Sequence, residues 1–115
     1  MESLLLTPEN NALHLHARDG ISSVQINYLV LETGQPFSHY PTLVMTVIDE
    51  DNLVLWSNRL QTFYQSQNAT EARIEQSFAI WDQLTITLSD TSQQPDHRGY
   101  LIRLYYTLKT DRLPQ

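Results

Sequence analysis

Apolar residues recur at every second position in several separate runs of this chain, and that period limits what it can fold into. In 12–18 (ALHLHAR), Leu13 and Leu15 point one way and His14 and His16 the other. In 21–32, Val24, Ile26, Tyr28 and Val30 share one face, and Gln25, Asn27, Leu29 and Leu31 the other. The segment 83–89 (QLTITLS) alternates cleanly. In 99–110, Tyr100, Ile102, Leu104, Tyr106 and Leu108 form an apolar face opposite Leu101, Arg103, Tyr105 and Thr107. Side chains leave a strand on opposite faces in turn, so each run reads as a half-buried β-strand.

The best-determined element is 42–60 (TLVMTVIDEDNLVLWSNRL). Two runs rich in Val, Ile and Leu flank the polar tip Asp49-Glu50-Asp51-Asn52. Branched residues favour a pleated backbone, and Asp and Asn favour turns because their side chains bond the nearby backbone. A β-hairpin with a four-residue loop is expected, placed at the centre of the fold with Trp56 in the core.

Punctuation falls between the runs. Pro8 ends a short run at 2–7, Asp19-Gly20 marks a turn, and 33–41 (TGQPFSHYP) is a loop. Residues 90–98 are a second loop of Ser, Gln, Pro, Asp and His. Residues 68–84 are ambiguous. As a helix, Asn68 would cap, Glu71 would complete the capping box, and Ile74, Phe78 and Trp81 would share a face. As a strand, Ile74, Phe78 and Ile80 alternate. The strand-like neighbours favour a strand over 71–80. The fold class is all-β: an immunoglobulin-like antiparallel β-sandwich of about seven to nine strands in one domain over 1–115. The alternative is an α+β fold with a helix at about 70–83. The expected core is Val24, Ile26, Tyr28, Val30, Val44, Val47, Trp56, Ile86, Ile102 and Leu104.

From the hairpin onward, the features follow a known order. The stretch VIDEDNLVLWSNRLQTFYQSQ (47–67) carries an aspartate, a turn, Leu-Trp-Ser, then Phe63 and Gln65. An acid-containing strand at 71–78, Trp81-Asp82, a loop, and Gly99-Tyr100 before a last strand follow. About half of the chain thus resembles the immunoglobulin-like domain of the BsuPI intracellular proteinase-inhibitor family. Asn52 stands where that family has a hairpin glycine, Gln67-Asn68-Ala69 where it has Pro-Gly, and Gly99-Tyr100 where it has Gly-x-Tyr. The resemblance implies a sandwich, and a proteinase inhibitor that presents a loop such as Thr33 to Pro41.

Composition narrows the function classes. Cysteine is absent, so no disulfide, thiolate nucleophile or cysteine zinc site can form. The net charge is −6 and the seven Lys and Arg are scattered, which disfavours nucleic acid and anionic membranes. No run approaches a membrane span and residues 1–11 carry no signal-peptide pattern, so a cytoplasmic protein is expected. Asn68-Ala69-Thr70 matches a glycosylation sequon only by chance on that reading.

Three glycines leave no phosphate loop, and there is no nucleophile elbow. Glu75 and Asp82 lie near apolar residues without the marks of a catalytic pair. An enzyme is not expected, and no cofactor or metal is assigned. His14 and His16 share a strand face, and with His39 or His97 they would make a zinc site; the plainer reading is a polar solvent face. Asp49, Glu50 and Asp51 lack the spaced calcium-loop pattern and read as a solvated tip.

The expected function is a non-enzymatic protein-binding or assembly module, with another protein or a second copy as partner. Its candidate contact residues are Phe37, His39, Tyr40, Phe63 and Tyr64. These aromatics either form exposed anchors or plug the ends of the sandwich, and plugging is favoured. Edge strands at 4–6 and 12–18 offer a second route to pairing, with a homodimer as one outcome.

Overall fold

The structure is a computed structural model, described for residues 1–64, 66–91 and 99–110. The described residues form eight strands: β1 (Glu2–Leu6), β2 (Ala12–His16), β3 (Ile21–Leu31), β4 (Leu43–Asp49), β5 (Val54–Arg59), β6 (Glu71–Ala79), β7 (Gln83–Asp90) and β8 (Ile102–Thr110). The only helical turns among the described residues are three short 3-10 segments: η1 (Ala17–Asp19), η2 (Phe37–His39) and η3 (Leu60–Phe63).

Two four-stranded antiparallel sheets face each other, in the orders β1-β8-β3-β6 and β2-β7-β4-β5. The all-β sandwich is as expected. Within that class, the strand order is that of a double-sheet jelly roll, in which β1 pairs with β8. An immunoglobulin domain instead groups its strands as A-B-E-D and C-F-G. Nothing in the alternation distinguishes the two, because both bury every second residue.

The helix alternative at 70–83 does not occur. Glu71–Ala79 pairs with β3 from Val24↔Phe78 to Val30↔Glu71, burying Ala72 and Ile74 at period two. A helix would have left that side of β3 without a partner, and the long-range ladder outweighs the local capping box. Trp81, placed on the apolar face of that helix, is 85% exposed at the β6–β7 turn.

The core gathers Leu13, Leu15, Leu84, Ile86, Leu88, Leu43, Met45 and Val47 from one sheet. From the other come Leu6, Val24, Ile26, Leu29, Leu31, Ala72, Ile74, Ile102, Leu104 and Tyr106. Val24, Ile26, Val47, Ile86, Ile102 and Leu104 are buried as expected. Tyr28 and Val30 are not. Ile26 pairs with Tyr106 but Tyr28 with Tyr105, so Asn27 is an extra residue and the faces of β3 exchange there. Leu29 and Leu31 turn inward, and Tyr28 stacks on Tyr105 outside, ring centres 4.7 Å apart. Val44 also faces out, since Val44 and Val47 are three apart on one strand and cannot share a face. Trp56 is half-buried.

Residues 33–41 are pinned to the end of the sandwich. Phe37 and Tyr40 are buried. The Phe37 amide donates to the Ala69 carbonyl at 2.8 Å, and the Ser38 hydroxyl to the Gln67 carbonyl at 2.6 Å. Beside them the buried Tyr100 hydroxyl donates to the Leu88 carbonyl at 3.2 Å. Arg103 donates through Nε to Glu32 at 2.6 Å on the outer face.

Candidate functional site

The hairpin tip sets the direction of β5. One carboxylate oxygen of Asp49 accepts from the amides of Asp51 and Leu53, both at 2.9 Å. Asn52 adopts φ 61°, a left-handed conformation that Asn tolerates better than most residues. The chain so reversed becomes the last strand of its sheet, so the hairpin is half interior and half edge rather than central.

The register steps from Val47↔Trp56 to Ile48↔Val54, leaving Leu55 as an extra residue on β5. Trp56 turns toward the sandwich, while Leu53, Val54 and Leu55 are 61%, 56% and 44% exposed. No charged residue lies between Asn52 and Asn58. An edge strand also leaves alternate N–H and C=O groups unpaired on its open side. The result is a contiguous apolar strip beside open hydrogen-bonding backbone.

The flank beneath that strip is aromatic. Trp56 packs against Phe63, ring centres 5.6 Å apart, and against Phe78 of β6 at 6.2 Å. Tyr64 stacks on Phe37 at 5.6 Å, and its hydroxyl reaches the Phe37 carbonyl at 3.4 Å. Burial raises the pKa of the Tyr64 phenol. Thr62, Phe63, Tyr64, Glu71 and Arg73 line an adjoining cleft of about 440 Å³. Arg73 on its rim is paired with Glu71 at 3.3 Å and Glu75 at 3.6 Å, and lies over the Tyr28 ring at 6.0 Å.

Of the five contact residues expected from sequence, the structure brings Phe37, Phe63 and Tyr64 to this flank and its adjoining loop. Phe37 and Tyr40 are plugs in the core and offer no surface; their burial follows from the need of an aromatic-rich loop to hide its rings. Phe63 and Tyr64 are half-buried, and His39 is exposed.

His14 and His16 occupy the outer face of β2, and the Nδ1 of His14 lies 3.2 Å from the Thr85 hydroxyl. His39 precedes β4 at the opposite end of that sheet from His16, and His97 lies outside the described residues. The sole cluster of three metal-ligating side chains among the described residues is Asp49, Glu50 and Asp51, and Asp49 is engaged in capping the turn.

The expected edges at 4–6 and 12–18 are edges, as β1 and β2. Sequence reasoning missed the β5 edge. The signal was the run Leu53-Val54-Leu55: three consecutive apolar residues in a strand cannot all face one core.

No protein-family model matches the chain, and no curated protein matches it. Solved structures do. The Drosophila NLP core superposes with a TM-score of 0.55 over 93% of this chain and 94% of that one, at 12% identity. The likeness is one of fold. The NLP-core structure is described as giving insight into pentamer formation and histone binding. The VP2 subviral particle of infectious bursal disease virus aligns over 91% of this chain and 32% of its own, at 13% identity and a TM-score of 0.32, too low to bear on the fold. No helix among the described residues is long and apolar enough to cross a membrane.

Proposed function

We propose that the chain is a non-enzymatic protein-contact module whose working surface is the open side of β5. The observation that carries this reading is the exposure of Leu53, Val54 and Leu55 together on an unpaired strand edge. Burying such a strip against another protein removes apolar area from water and gives the free backbone groups partners. The NLP core, of similar fold, assembles with copies of itself and binds other proteins, which is compatible with a module of this kind.

A photo-crosslinking side chain placed at Leu55 tests the reading, in purified protein and in extract of the source cells. A discrete higher-mass adduct is expected from position 55 and none from Ser77, an exposed position on β6. Absence of any adduct from position 55 in both settings would contradict the proposal.

A second reading is proteinase inhibition, as the BsuPI resemblance implies. It is favoured by the anchoring of the loop at 33–41, where buried Phe37 and Tyr40 hold the backbone while Ser38, His39 and Pro41 face outward. A loop fixed at both ends binds with little ordering cost. Inhibition of intracellular proteases at micromolar protein, lost when Ser38 and His39 are both changed to Gly, is the expected result. Full protease activity at that concentration would remove this reading.

A further inference from the structure

We infer that the partner of β5 is a second copy of this chain, joined β5 to β5 in antiparallel sense about a twofold axis. The inference deepens the contact reading above and rests on it. Charge along the hairpin selects the occupant. Arg59, at the end of β5, is the strand's one charged residue. No carboxylate among the described residues pairs with it, and it is exposed. The other end of the same hairpin carries Glu50 and Asp51, close to Asp49 and likewise without a cation partner among the described residues. The hairpin therefore ends in negative charge at its tip and positive charge at its base.

An antiparallel pair sets Arg59 of each copy beside the Val54 end of the other, which the acidic tip immediately precedes. One twofold axis so makes the same opposite-charge contact twice, with Leu55, Trp56, Ser57 and Asn58 of both copies between. A parallel pair would set tip against tip. A basic foreign strand would satisfy the tip but meet Arg59. Two copies of net charge −6 repel as wholes, so a self-contact needs local opposite charges, and this hairpin supplies them.

Sedimentation of the full chain tests this with Arg59→Glu, with Glu50→Lys combined with Asp51→Lys, and with their equimolar mixture. The wild type should rise with concentration to twice 13.4 kDa and stop there. Each variant alone sets like charges together and should associate about tenfold more weakly or worse. In the mixture both contacts are opposite-charge again, one of them reversed, so the mixed pair should recover wild-type strength.

The gap in association strength between the wild type and each variant should shrink as salt rises, because salt screens the local charge contacts that separate them. A wild type that stays at 13.4 kDa at every concentration, one that assembles beyond two copies, or a mixture no tighter than its components overturns the inference. If the wild type stays monomeric while position 55 crosslinks to another protein, the second copy falls and the contact reading stands. If position 55 crosslinks to nothing, both fall.

Discussion

β5 and β6 are the edge strands of opposite sheets, on the same flank of the sandwich, and they solve the edge problem differently. β6 carries Glu71, Arg73 and Glu75 outward, cross-paired as ions. Its register also slips between Arg73 and Gln76, with Glu75 held at φ 54°. Charge and a bulge are two devices that stop an edge from templating another strand. β5 has a bulge too, at Leu55, but no charge before Arg59, and its exposed residues are apolar. One edge is defended by charge and the other is left apolar and exposed.

The largest expected effect marks how far the two strands share a core. Ile74 of β6 is buried, so Ile74→Ala should cost about 2–5 kcal/mol in urea unfolding. Leu55→Ser on β5 should move stability by no more than about 0.5 kcal/mol, since it is a surface change. A Leu55→Ser cost as large as that of Ile74→Ala would mean that β5 is not a free edge.

Next is the bulge of β6. Glu75→Gly should stabilise by about 1 kcal/mol, because glycine tolerates a left-handed backbone and glutamate does not. Glu75→Val should destabilise by a similar amount. Unfolding midpoints in urea that shift in the opposite order would place the strain elsewhere.

Smaller again is the alkaline limit. Burial raises the phenol pKa of Tyr100, helped by the nearby Asp90 carboxylate, and that of Tyr106, helped by Glu2. A raised folded pKa means that the folded state holds its proton more tightly. That stability is complete below the ordinary value of 10.0 and is lost as pH rises through the folded values. Thermal midpoints should therefore fall above pH 10.0, while the uncharged stretch Asn52–Asn58 gives β5 contacts no such dependence of their own. A midpoint that rises in that range would contradict the assignment.

How much of this was legible follows from the kind of signal each feature leaves. Alternation gave the strands and both buried faces wherever the ladder is regular, as in β7 and β8. It failed at Asn27, because a bulge is set by pairing with two neighbours and leaves no local mark. The strand order was beyond reach for the same reason: β1 meets β8 across almost the whole chain. The tip was readable because Asp49 and Asn52 make the turn themselves. Phe37 and Tyr40 were visible as residues needing cover, which they find in the core. The open edge at Leu53–Leu55 was written in the sequence as a broken alternation, but only topology shows that no strand among the described residues covers it.

The central claim is that β5, and not β6, is the edge through which two copies of the chain meet. Amide hydrogen exchange at low and high protein concentration measures it directly. The account predicts that protection in Val54–Arg59 rises with concentration while protection in Glu71–Ala79 stays constant. Protection that is unchanged in both strands, or that rises equally in both, would contradict it.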